Sequence, residues 1–190
     1  MENLLKFLHS LSPLSEESRN NLQPALQEKH FKKGEFLLRE GEVCESLFYI
    51  DNGYCRSFYL VDGEEKNTAF NFENEIATNV ASFGSGQPSA YSIIACEPLD
   101  AILFNKKKLM EASKQSPEIE TLGRNCIRLF ASKQEEFTKL FQLYDAAARL
   151  EYIEQQFPFL LQRVPLSQLS SFLGVSRETL SRIRSRRFRA

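Results

Sequence analysis

The segment Val164-Pro-Leu-Ser-Gln-Leu-Ser-Ser-Phe-Leu-Gly-Val-Ser-Arg-Glu-Thr-Leu-Ser-Arg-Ile-Arg184 leaves a folding chain few choices. Leu169, Leu173, Val175, Leu180 and Ile183 are spaced to close a small apolar core between two short helices. Gly174 stands where the first helix must stop, a position that favours the left-handed backbone glycine adopts without strain. Pro165 suits a first helical turn, Ser170 is small enough for close approach, and Ser176 is a natural N-cap for the second helix. At about 100° per residue, Arg177, Ser181 and Ser185 form one stripe of that helix, flanked by Glu178 and Arg182. Leu180 and Ile183 turn the other way. A helix that packs by one face and offers polar groups on the other matches the reading element of a DNA-binding helix-turn-helix. The expected contacts to DNA are Ser176, Arg177, Glu178, Thr179, Ser181 and Arg182. Arg177 can donate twice to guanine O6 and N7, Glu178 can accept from cytosine N4, and Arg182 lies one turn further along.

A helical hairpin that merely packs is the bland alternative, and charge speaks against it. From Leu161 to Ala190 there are seven arginines and a single acid, Glu178. This segment carries +6 in a chain whose net charge is −1, so the other 160 residues carry −7. A concentrated positive end on an otherwise acidic chain is the footprint of phosphate binding, and arginine favours forked contacts. Arg186 and Arg187 therefore join the expected DNA-binding set.

With 190 residues the chain has room for one large or two small domains, and 42% apolar content with 16 Phe suffices for a buried core. No apolar run approaches the ~20 residues of a membrane span. The start, Met-Glu-Asn-Leu-Leu-Lys-Phe, lacks the pattern of a secretory leader, so cytoplasmic residence is expected and a membrane partner is not. Cys44, Cys55, Cys96 and Cys126 form no C-x-x-C pair, and His9 and His30 match no metal spacing. No metal or cofactor is expected, and the cysteines read as isolated reduced thiols.

Along the chain, residues 2–29 read as helical, with a new start signalled at Ser12-Pro-Leu-Ser-Glu-Glu17. Gly34, Gly41, Gly53 and Gly63 then punctuate short β-type runs at 36–38, 46–50 and 54–60, followed by further runs at 67–72, 91–95 and 100–104. Such spacing suggests a sandwich or jelly-roll barrel. From Pro117 a long helix reaches Leu143. Ile119, Leu122, Cys126, Leu129, Phe137, Leu140 and Tyr144 follow 3- and 4-residue steps, interrupted by Lys133. That stripe can cap its own barrel or form a seam with a second copy. The seam is favoured, because a twofold reader needs two recognition helices ~34–36 Å apart. A further helix, Asp145 to Gln156, ends at Phe157-Pro158. The expected domains are a sensor of helices and β-roll over 1–116, a dimerisation helix over 117–143, and a helix-turn-helix over 144–190.

This order resembles the Crp/Fnr family of bacterial transcription regulators over nearly the whole chain. Its most specific piece is Gly174-Val-Ser-Arg-Glu-Thr-Leu-Ser-Arg182, similar to the family's recognition-helix signature, in which the residues matching Arg177, Glu178 and Arg182 read bases. Lys33-Gly34-Glu35, Glu40-Gly41-Glu42 and Leu47-Phe-Tyr-Ile-Asp-Asn-Gly53 resemble the glycine turns of a cyclic-nucleotide-binding domain. The resemblance implies an α+β fold. It consists of an N-terminal double-stranded β-helix or jelly roll, a long dimerisation helix, and a C-terminal helix-turn-helix lacking a full wing. It also implies a homodimer on double-stranded DNA with an inverted-repeat operator. RNA polymerase is a further partner that no sharp motif marks.

Two departures alter the expectation. Nucleotide binders of this fold carry Phe-Gly-Glu followed by Arg-Ser/Thr-Ala, whereas here Phe83-Gly84 is followed by Ser85, and Pro88 or Ser89 stands at the arginine position. No basic residue lies between Asn67 and Asn105, and a buried phosphate without a cation is costly. Cyclic AMP is therefore not expected to bind well. Phe83, Gly84, Ser85, Gly86, Ser89 and Tyr91 remain the candidate pocket loop for a small-molecule effector of unassigned identity. Secondly, Arg184, Arg186, Arg187 and Arg189 occupy the place where relatives begin a wing, and are expected to contact phosphates instead. Two other readings stay open: a constitutive DNA binder with a vestigial sensor, and a cupin-like enzyme. The second lacks clustered histidine between Phe31 and Phe104.

Overall fold

The computed structural model describes the backbone of residues 1–187 and the side chains of residues 1–183. The chain divides into two compact units, Met1–Tyr59 with Ala69–Leu129, and Leu60–Thr68 with Phe130 onward. The division therefore falls inside the long helix, and the tip of one hairpin belongs to the C-terminal unit.

The first unit opens with α1 (Glu2–Leu11) and α2 (Glu16–Leu22), the latter capped by Ser15, whose hydroxyl accepts from the Ser18 N–H. A 3-10 turn over Gln23–Ala25 follows. The chain then enters β1 (Leu26–Phe31), so residues 26–29 are strand and not the end of a helix. Leu26 continues the apolar helical spacing, but Gln27–His30 are exposed, and no alternation marks the strand in sequence. What fixes it is distant: β1 pairs antiparallel with β8 (Leu99–Asn105), Leu26 facing Phe104 and Phe31 facing Leu99.

The other strands are β2 (Phe36–Leu38), β3 (Ser46–Asn52), β4 (Cys55–Val61), β5 (Glu64–Asn71), β6 (Ile76–Ala77) and β7 (Ser92–Ala95). They build two four-stranded sheets, in the orders β1-β8-β3-β6 and β2-β7-β4-β5. Phe31, Leu38, Phe48, Ile50, Ile93 and Leu99 form the centre of the roll's core, all nearly inaccessible to solvent. The glycine punctuation has a steric basis at Gly53: its φ is +86°, and an added Cβ would lie 2.5 Å from the Pro98 carbonyl oxygen. Two short helices, α3 (Val80–Ser85) and α4 (Lys106–Gln115), lie where no helical stripe is visible in sequence. Each instead starts on an asparagine cap, Asn79 or Asn105.

The long helix α5 spans Pro117–Leu143. Its first half is tied to the N-terminal helices of the same unit. Ser15 donates its N–H to Glu118 Oε2 at 2.7 Å, the Ser18 and Ser116 hydroxyls lie 2.7 Å apart, and Asn125 Nδ2 donates to the Leu11 carbonyl at 2.9 Å.

The second unit holds the rest of α5, then α6 (Ala146–Gln156), α7 (Pro158–Arg163), α8 (Leu166–Leu173) and α9 (Arg177–Arg187). Pro158 both ends α6 and starts α7, a short helix the sequence did not signal. Leu140, Leu150, Ile153, Leu160, Leu169 and Leu180 are buried here, and Phe172 meets Phe137 and Phe141 edge-on at 5.7 Å. The β4–β5 tip joins this unit through Asn67, whose N–H donates to Ser171 Oγ at 3.0 Å; the Ser171 hydroxyl in turn donates to the Glu65 carbonyl at 3.0 Å. Among the described residues no helix is long and apolar enough to cross a membrane.

Candidate nucleic-acid interface

Two helices and a tight turn make the candidate site. Helix α8 ends at Gly174, whose φ of +70° is the left-handed conformation the turn requires. The Val175 N–H returns to the Ser170 carbonyl at 3.0 Å, which closes the turn. Leu169 and Leu173 of α8 and Leu180 of α9 are buried almost completely, so the spacing seen in sequence becomes the core of the motif. Pro165 sits one position earlier than a first helical residue: its carbonyl accepts from Gln168 and Leu169 as the N-cap.

Ser176 caps α9. Its hydroxyl oxygen accepts from the Thr179 N–H at 3.1 Å and lies 3.0 Å from the Thr179 hydroxyl. Arg182 Nη2 donates to that hydroxyl at 3.4 Å. Ser176 and Thr179 thus order the first turn and steady Arg182. Arg177, Glu178, Ser181 and Arg182 are exposed, while Leu180 beneath them is not. The Glu178 carboxyl is held below its usual range, first by its own backbone N–H and then by the Ser176 hydroxyl. It is therefore an ionised acceptor at neutral pH, flanked by two guanidinium groups that can only donate. The side chains of Arg184, Arg186, Arg187 and Arg189 lie outside the described residues.

The candidate effector loop is folded upon itself. Phe83, Gly84 and Ser85 belong to α3, and Gly86 ends it in the left-handed conformation. Asn79 Oδ1 accepts from the Ser82 N–H, and its Nδ2 donates to Ser89 Oγ at 2.8 Å. The Ser82 hydroxyl donates to the Gln87 carbonyl and accepts from the Cys44 N–H. The Ser89 hydroxyl donates to the Tyr91 carbonyl at 2.7 Å, and the Tyr91 phenol donates to the Thr78 carbonyl at 3.0 Å. Ser89 is 2% exposed, so it faces the fold's interior and not an open pocket. Lys106 Nζ stands 5.6 Å from the Phe83 ring centroid, reaching the loop from just outside the stretch without basic residues. Asn79 and Ser82 anchor this loop, and sequence reasoning missed both: the cap from Asn79 to Ser82 is local, but the bonds to Ser89 and Cys44 that tie the loop down join residues ten and 38 positions apart.

Along α5 the predicted stripe separates. Ile119, Leu122, Cys126 and Leu140 are buried within the single chain, and Phe137 packs on Phe157 and Phe172. Leu129 and Tyr144 remain exposed. Those heptad-like steps record mainly packing inside the protomer. A different line of α5 is open: Gly123, Ile127 and Ala131, four residues apart and all exposed.

The chain is similar to known proteins over most of its length. A family model described as the cyclic nucleotide-binding domain matches residues 28–116. The transcriptional activator protein Anr of Pseudomonas protegens is 26% identical, over 93% of this chain and 80% of its own length. The protein of that name from Pseudomonas aeruginosa is also 26% identical, over 82% of this chain and 68% of its length. The solved structure of FixK2 from Bradyrhizobium japonicum superposes with a TM-score of 0.67 at 20% identity, covering 85% of this chain and 83% of that one.

The cyclic nucleotide-binding domain at residues 28–116 and the similarity to the two Anr activators over most of the chain support a transcription regulator of the Crp/Fnr type. Within this chain the thiols have a defined environment. Cys44 and Cys55 are buried in the roll's core. Burial pushes the Cys96 thiol up to about 11, and does the same to Cys126. A thiol raised in this way favours its protonated form at neutral pH, which disfavours attack as a thiolate. Among the described residues no group of three or more His, Cys, Asp or Glu could hold a metal ion.

Proposed function

We propose that this regulator works in the cytoplasm as a homodimer that reads an inverted repeat in double-stranded DNA through α9. The observation that carries the reading is the exposed set Arg177, Glu178, Ser181 and Arg182, held on the capped first turns of a helix whose opposite face is buried at Leu180. Selection from random duplexes with the purified protein tests it. The expected product is a palindromic site bound at ~10⁻⁸ M or tighter at physiological salt. Recovery of unselected sequence at ordinary ionic strength sinks the proposal. On the selected site, Arg177→Ala is expected to cost ~1–3 kcal/mol and to relax preference at one base pair per half-site. An unchanged sequence logo would remove Arg177 from the reading set.

For the dimer, the supporting observation is the open line on α5. An interior helical glycine costs roughly 0.5–1 kcal/mol relative to alanine. A Cβ added at Gly123 would meet nothing within 4 Å in its own chain. Ile127, one turn on, is 61% exposed. A glycine beside an uncovered isoleucine suits the close approach of a second α5.

We further propose that the roll does not take cyclic AMP. The hydroxyls of Ser82, Ser89 and Tyr91, which a phosphate or ribose would need, already donate within the loop. Titration calorimetry with the full chain and millimolar cyclic AMP is expected to show no saturable heat; a micromolar isotherm would overturn this.

A further inference from the structure

Arg149 lies outside both the reading helix and the sensor loop, and nothing about it stands out in sequence. It sits half-buried on α6, where the Asp145 carboxylate fixes the first turn by accepting from the Ala147 and Ala148 N–H groups at 3.0 and 2.9 Å. Its guanidinium donates to three carbonyls. Nη2 reaches Phe141 at 2.8 Å in the last turn of α5, and Nε reaches Tyr144 at 2.9 Å, one residue past its end. Nη1 reaches Leu173 at 3.1 Å, the last residue of α8 before the turn. The same group lies 5.1 Å from the centroid of the Phe141 ring. All four residues belong to the C-terminal unit.

The physics favours a cation here twice over. The last carbonyls of any helix lack intrahelical partners and carry the negative end of the helix dipole. One guanidinium serves two such ends at once. Its donors diverge in fixed directions within a plane, so bonding all three carbonyls fixes the angle between the end of α5 and the turn of the motif. A lysine ammonium could satisfy a carbonyl but would fix no angle.

We infer that Arg149 is a positioning residue for sequence reading: it locks the orientation in which α8 and α9 are presented from the end of α5. This rests on the DNA-reading function proposed above. Base contacts demand placement within about 0.5 Å and 10–20°, whereas phosphate contacts tolerate slack. Loss of the lock therefore lowers specific binding and leaves non-specific binding intact, a separation that general unfolding would not produce.

The test compares the full-length protein with Arg149→Met, Arg149→Gln and Arg149→Lys, each measured on the selected duplex and on a scrambled one. If each unlocked protomer holds the competent orientation about one-third of the time, both do so about one-tenth of the time, and specific affinity of the dimer falls about tenfold. Affinity for the scrambled duplex stays within about twofold, because the phosphate contacts are unchanged. Arg149→Lys keeps the charge and is expected not to restore the ratio; full restoration by lysine would overturn the role of the fork. Spin labels at exposed Gln134 on α5 and Ser167 on α8, diluted with unlabelled protein, read the angle without DNA. The distance distribution is expected to broaden in all three variants. Wild-type width together with an unchanged specificity ratio overturns the proposal. Should Arg149→Met fail to fold, the glutamine and lysine variants carry both readouts. A wild-type protein without sequence preference would instead overturn the DNA-reading function itself, and with it this role for Arg149.

Discussion

Leu180→Ala is expected to unfold the C-terminal unit and to abolish DNA binding of every kind that depends on an ordered α9. Leu180 is fully buried at the centre of the motif, shared between α8 and α9. Removing a buried leucine side chain costs about 2–5 kcal/mol, part transfer and part cavity. Whole domains are stable by only about 5–15 kcal/mol, and a small helical unit lies at the low end of that range. Hydrogen exchange resolved along the chain is the discriminating measurement. Amides of α6 to α9 should lose protection while those of β3 and β8, at the centre of their sheet, keep it. Uniform protection with undiminished binding would show that the motif does not depend on this contact.

Ile127→Glu is expected to separate the proposed dimer and lower affinity for the full palindrome by at least about a hundredfold. The carboxylate would replace a largely exposed apolar side chain on α5, so the isolated protomer loses little buried contact. Across a twofold axis, however, two glutamates would face each other where apolar surface should meet. Without the partner, two half-sites are bound as separate events and the gain from effective concentration disappears. Light scattering on the same samples gives the mass. A dimer that persists in the variant would place the seam elsewhere, and a monomeric wild type would remove it altogether.

These expectations differ in how far the sequence alone reaches. The helix-turn-helix was legible nearly to the residue because its determinants are local: Gly174 demands φ > 0, Ser176 caps, and Leu169, Leu173 and Leu180 lie within one short stretch. The ends of α5 were legible for the same reason, with Pro117 at one end and Asp145 capping the next helix just past the other. β1 was not legible, because its four central residues are exposed and only the ladder to β8 defines them. The α5 stripe misled for a related reason. Periodicity reports that a face is apolar but not what covers it, and here Ile119, Leu122, Cys126 and Leu140 are covered within the protomer.

The sensor loop divides the same way. Its missing acid and missing cation can be read directly from Phe83–Tyr91. Why the loop needs no ligand to be satisfied can be seen only once Asn79, Ser82, Ser89 and Tyr91 are found to bond one another. Arg149 is the extreme case, since its three acceptors lie five, eight and 24 residues away in the chain.

Sequence by itself determined the helix-turn-helix, its turn at Gly174, its Ser176 cap and the charge asymmetry, because each is written in one short stretch of the chain. Tertiary structure alone decided which apolar face of α5 stays open, how the roll's loop closes on itself, and which arginine joins two helix ends. Those depend on partners the chain brings together only by folding, and no local pattern encodes a distant partner.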